Sequence, residues 1–157
     1  MNGPEPHAKH ERATPAAWHE FERAAPTVAD AIRGRFEAHL HHVLGTIRPD
    51  GSPRLSGTEV RIEHGEVTIG MMAGSQKLSD VQRDPRVEIH SAPLDTELAA
   101  GDAKLSGLLV EQGLAHEAQG TSFRLRIALA SLVRVEGNEL VFMTWRAGVG
   151  PREIRRS

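Results

Sequence analysis

The chain contains no cysteine, which excludes disulfides, thiol catalysis and thiolate metal sites. This is compatible with a reducing cytoplasm. Aromatic residues make up only 4%, which is thin for a core and leaves apolar surface for a second subunit to cover. No apolar run approaches the ~20 residues of a membrane span. Residues 1–13 are polar, mixed in charge and without the apolar centre of a secretory signal. They are therefore expected to be a disordered tail on a cytoplasmic protein. An excess of positive charge is also missing: formal net charge is -2, which argues against a general nucleic-acid binder. There is no Gly-x-Ser-x-Gly elbow, no P-loop and no dinucleotide glycine fingerprint. There is also no internal repeat.

What is present fits one domain over residues 14–157. The chain has 157 residues, 39% apolar and 25% charged, enough for a single soluble core. Residues 14–38 read as helical, with Thr14-Pro15 as N-cap and first helical position and Pro26 dividing the stretch in two. Val28, Ile32, Phe36 and Leu40 form one apolar stripe. From His42 the period changes to two. Strands are expected from about 43, over 53–62 and over 67–71, joined by tight turns at Pro49-Asp50-Gly51-Ser52 and Glu63-His64-Gly65-Glu66. These read as a meander. A short helix over 75–83 is capped by Ser75 and stopped by Asp84-Pro85. Further strands follow at 86–91, 104–110 and 122–127, then a hairpin over 132–145 that turns at Glu136-Gly137-Asn138-Glu139. Residues 92–103 read as a loop, a candidate substrate lid by composition. Six or more short antiparallel strands with few helices imply a small barrel or sandwich.

Three segments can carry chemistry. In Gly74-Ser75-Gln76-Lys77 a strand turns into a helix. Free N–H groups, the helix dipole, the Ser75 hydroxyl and the Lys77 ammonium can together hold an anion. An ordinary N-cap beside a surface lysine fits the same residues. In Pro53-Arg54-Leu55-Ser56-Gly57, Arg54 can make a bidentate phosphate contact, and Ser56 and Gly57 can lie beside a flat ring. A charged strand edge is the alternative. At the C-terminus, Trp145 can stack on a planar ligand or close a core, and Arg146, Arg152, Arg155 and Arg156 form a basic cluster or a solvated tail. His39, His41 and His42 adjoin one another, but a helix-to-strand change between them should make their side chains diverge, so no metal site is expected.

The order of these pieces resembles the pyridoxamine 5'-phosphate oxidase-like family, the FMN-binding split β-barrels. The likeness rests on the Asp50-Gly51 turn before Pro53-Arg54, on Gly74-Ser75-x-Lys77 with its helix and Asp84-Pro85, and on Thr144-Trp145 with trailing arginines. It covers roughly residues 42–156. It implies a mainly β fold: a six-stranded antiparallel Greek-key split barrel with N-terminal helices, forming a homodimer with two flavins at the interface. Arg54, Ser75 and Lys77, with Gln76 at the same turn, would hold the FMN phosphate. Leu55, Ser56, Gly57, Met71 and Met72 would line the ring and ribityl chain. Trp145 and Arg155 would reach the partner's flavin, and Arg152 would face the substrate. Gln76 stands where the family often has arginine, and Arg152-Glu153-Ile154 lacks the histidine of the oxidase's Arg-x-His. These departures argue against pyridoxamine phosphate oxidation itself. The expected function is a flavin-dependent oxidoreductase of a small molecule, with no catalytic residue singled out. The alternatives are an F420-dependent reductase on the same fold, or a non-catalytic flavin- or haem-binding dimer.

Overall fold

A computed structural model describes residues 13–93, 97–114 and 120–157. The expected tail lies outside these apart from Ala13. Two helices, α1 (Trp18–Ala24) and α2 (Pro26–Glu37), precede the strands. Pro26 divides them as expected, sitting at the start of α2. Thr14-Pro15 does not open α1. Ala16 instead forms an antiparallel bridge with Ile127, each N–H donating to the other's carbonyl at 2.8 and 2.7 Å. That bridge holds the chain extended, and the helix begins only at Trp18, where the Glu20 carboxylate accepts the Ala17 N–H at 2.7 Å.

The strands are β1 (His41–Ile47), β2 (Pro53–Glu59), β3 (Arg61–Glu63), β4 (Glu66–Met72), β5 (Arg86–His90), β6 (Asp102–Leu114), β7 (Gly120–Glu136), β8 (Glu139–Arg146) and β9 (Gly150–Arg156), with α3 (Gln76–Arg83) between β4 and β5. Their hydrogen-bonded order is β2-β1-β5-β6-β7-β4-β3, all antiparallel, with β8 on β7 and β9 on β8. The sheet does not close. Its two ends, β2 and β3, are neighbours in the chain but share no ladder, and the buried Val60 joins them. This corrects the meander: β2 pairs back only on β1, while β4 pairs with β3 and β7. The result is a mainly β split barrel with flanking helices. Nine strands are described: the one expected over 53–62 breaks at Val60, β9 forms where a basic tail was one of the readings, and the strands expected at 122–127 and from 132 run together as β7.

Turn chemistry explains the hairpins. Gly51 (φ 86°) and Gly65 (φ 74°) take left-handed conformations at the two turns expected there. The Asp50 carboxylate accepts both the N–H and the hydroxyl of Ser52, at 2.9 and 2.6 Å. The hairpin at Gly137-Asn138 also lies where expected. The loop over 92–103 is shorter than expected, because β6 starts at Asp102 and Ala103 is fully buried. Residues 94–96 lie outside the described residues.

One core fills the barrel and runs under the helices. The few aromatic residues are concentrated in it: Trp18, Phe21, Phe36, Phe123 and Trp145 are all buried. Phe21 meets Trp18 edge-on at 5.2 Å and Trp145 at 4.9 Å. Val28, Ile32 and Phe36 bury the expected stripe of α2, but Leu40 lies beyond the helix end and is 44% exposed. Truncation of Trp145 to alanine should lower stability by about 3–5 kcal/mol, the range for large aromatic core truncations. Urea unfolding monitored by circular dichroism measures this.

Candidate functional site

The turn before α3 is built as its residues suggest. Gly74 adopts φ 75°, which lets the Ser75 N–H reach back to the Met72 carbonyl at 3.2 Å. Ser75 is extended (φ -69°, ψ 147°), and its hydroxyl accepts the Leu78 N–H at 3.3 Å, so it caps α3. Leu78, Asp80 and Val81 face inward, and Asp84-Pro85 ends the helix.

Strand β2 meets this turn. Gly57 presents its carbonyl to the open edge of the barrel, where the Lys77 ammonium donates to it at 2.7 Å. Alternate residues of a strand turn their N–H and C=O groups to opposite edges, so Leu55 presents its own to the same open edge. Arg54 points to the other face of β2 and reaches α3. Its Nε donates to Asp80 Oδ2 at 2.7 Å and its Nη1 donates to Gln76 Oε1. Asp80 Oδ2 also accepts the Thr46 hydroxyl at 2.8 Å, and Oδ1 lies 3.5 Å from Arg83 Nη2, which donates to the Ile47 carbonyl as well. Arg54, Gln76 and Lys77 thus come together at the N-terminus of α3 beside Ser75.

Other expected residues separate by side. Leu55 is 73% exposed and Met72 78% exposed, whereas Met71 is buried in the core because successive strand residues alternate faces. Ser56 turns inward with Arg54, and its buried hydroxyl has no hydrogen-bond partner among the described residues. Trp145, expected at a second subunit's ligand, is 5% exposed and packs on Phe21. Arg155 is held by Glu136, Glu139 and Glu153 at 2.9, 3.2 and 2.8 Å. These three acids raise its pKa and occupy its donors. Arg152 is exposed on β9, on the opposite face of the strand from Arg155. His42 is buried, with Nδ1 accepting the Ala92 N–H at 3.0 Å and Nε2 directed at the carbonyls of Phe36 and His39. Burial lowers its pKa. Among the described residues no group of three or more histidines and acids is placed to hold a metal, and no helix is long and apolar enough to cross a membrane. A cleft of 370 Å³ between α2 and β3, lined by Phe36, Leu40, Val60 and Ile62 among others, contains none of the expected site residues.

The sequence reading missed Asp80, Thr46 and Arg83. Asp80 and Arg54 are 26 positions apart, and no local spacing links them.

The fold can be compared with solved structures. PhzG from Burkholderia lata 383, solved in complex with tetrahydrophenazine-1-carboxylic acid, aligns with TM-score 0.64 at 10% identity, covering 100% of this chain and 98% of that one. A pyridoxamine 5'-phosphate oxidase-related, FMN-binding protein from Nostoc punctiforme PCC 73102 aligns with TM-score 0.61 at 12% identity, covering 85% and 96%. The chain has the pyridoxamine 5'-phosphate oxidase-like fold. A Clostridium acetobutylicum protein of the pyridoxinephosphate oxidase family, related to general stress protein 26 of B. subtilis, shares this split-barrel fold (TM-score 0.58, 8% identity, covering 74% and 93%). No family model and no curated protein matches the sequence.

Within this split barrel, Asp80 is a buried charge paired with Arg54 and Arg83. Burial raises its pKa, but bonds from Arg54 and Thr46 and the Arg54 charge outweigh burial and hold it below the ordinary value. Burial lowers the pKa of Lys77. Asp80 therefore contributes stability above its unfolded pKa of about 3.9 that is lost as pH falls through the lower folded value. Urea midpoints measured down from pH 5 should drop more steeply below about pH 4 in the native chain than in an Asp80→Asn variant.

Proposed function

We propose that the chain is a flavin-dependent oxidoreductase of a small molecule, with FMN held at the open edge of the barrel. The observation that carries this reading is the convergence of Arg54, Gln76 and Lys77 on the Ser75-capped N-terminus of α3. That is a place built for a phosphate: a cation on each side, a hydroxyl, and the positive end of a helix dipole. The residues also suit the rest of a flavin. Leu55 and Gly57 turn backbone groups to the open edge, the Gly57 carbonyl already accepting from Lys77, and hydrogen-bonding atoms of a ring system can pair there. Leu55 and Met72 are large, apolar and exposed beside the anion site, as a flat ring or a second subunit would require. The Ser56 hydroxyl, buried without a partner among the described residues, is a polar atom that a bound group can satisfy. When bound, FMN supplies hydride or electron transfer through its ring. The protein's part is to grip the phosphate with Lys77 and Arg54, to orient the ring against the β2 edge, and to keep water from it.

A homodimer belongs to this reading, because the apolar side chains beside the site are left uncovered in one chain. A second reading, the deazaflavin F420 in the same place, is favoured by one observation. Arg146 and Arg152 lie on one exposed face of the β8–β9 hairpin, and neither is ion-paired among the described residues. They suit an acidic tail.

The absorbance spectrum of the purified protein and the mass of its released cofactor distinguish the readings. FMN is expected, and F420 would overturn it. Replacement of Lys77 by alanine should weaken FMN binding by about 1.5–3 kcal/mol, the worth of a charge-assisted bond; an unchanged titration would remove Lys77 from the site. Sedimentation should give twice the 17.1 kDa chain mass.

A further inference from the structure

Asp80 is not one of the phosphate-gripping residues, yet it contacts one of them, Arg54. We propose that Asp80 is a positioning residue that presents the Arg54 guanidinium to the anion at the N-terminus of α3. The proposal rests on the flavin reading above.

The geometry carries the argument. A guanidinium is a rigid plane with five donors. In Arg54, Nε is committed to Asp80 Oδ2 at 2.7 Å, which fixes the plane. Nη1 is bonded to Gln76, the first residue of α3, so the Nη end of the group lies at the helix N-terminus. Asp80 is itself immobile. It is 1% exposed and its carboxylate is shared with the Thr46 hydroxyl of β1 and the Arg83 guanidinium of the last turn of α3. One carboxylate thus joins β1, β2 and α3. Arg54 is a long side chain with much rotamer freedom to lose, and Asp80 removes that freedom before any ligand arrives.

Asp80 also carries a negative charge close to the proposed phosphate. A carboxylate that served only as a counter-charge would weaken anion binding. One that orients Arg54 strengthens it. The two roles predict opposite signs.

FMN and riboflavin, which differ by the phosphate, separate them. Both ligands would be titrated at pH 7 against the native chain and its Asp80→Asn and Thr46→Val variants, with folding checked by circular dichroism. The native chain should prefer FMN. Asp80→Asn should lose roughly tenfold or more of that preference while its riboflavin affinity stays unchanged. Thr46→Val, which frees one side of the carboxylate, should lose less in the same direction. A general structural role would weaken both ligands alike and leave the ratio fixed, which overturns the proposal. A raised ratio, the mark of a counter-charge, also overturns it. If Asp80→Asn does not fold, an unchanged ratio in Thr46→Val overturns it. A native chain that does not distinguish the two ligands overturns the phosphate-site reading as well, whereas a native preference retained by Asp80→Asn overturns only the role of Asp80.

Discussion

Val60 joins two strands that share no ladder, and the candidate site depends on that break. The chain leaves β2 at one end of the sheet and enters β3 at the other. A closed barrel has no free strand edge, but a split one must cover the edge it keeps. Here β2 keeps an edge, and the N-terminal turn of α3 covers part of it, with Lys77 bonding the Gly57 carbonyl. A phosphate-sized anion site therefore forms where an incomplete sheet meets a helix end.

Packing sets the direction of each group at that edge. β2 sends Arg54 and Ser56 inward and Leu55 outward. The inward arginine is tolerated because Asp80 meets it, and the buried aspartate is tolerated because Thr46 and two arginines satisfy its oxygens. The charges are interdependent: removing one leaves another buried without its partner. Lys77 differs, since it bonds a carbonyl and has no ion-pair partner among the described residues. It is the cation with most charge left for a ligand.

The second half of the sheet has another task. β7 runs through the barrel and beyond it, and β8 and β9 extend the sheet from its second half. There Trp145 packs under α1, and Arg155 ties Glu136, Glu139 and Glu153 into a surface network. Both residues were expected to reach a partner's flavin. In this chain one is core and the other joins neighbouring strands. The sequence could not separate these possibilities, because a strand-ending tryptophan and a run of arginines look the same beside a ligand, a core or an acidic neighbour.

Much of the local structure was legible from residues alone. Period-two alternation marked most strands. Gly51, Gly65 and Gly137 marked the hairpins, Ser75 marked a helix start, and Pro26 marked a helix break. Each depends on contacts within a few positions, where backbone sterics and capping bonds decide the outcome. The meeting of the Arg54 strand with the Lys77 turn could be expected only from resemblance. Tertiary structure alone decided that β2 and β3 part at Val60, that Met71 is buried while Met72 is exposed, and that Asp80 lies beneath Arg54. Those outcomes depend on which face of each strand packs against elements far away in the chain. Local spacing carries no information about pairings between such distant residues.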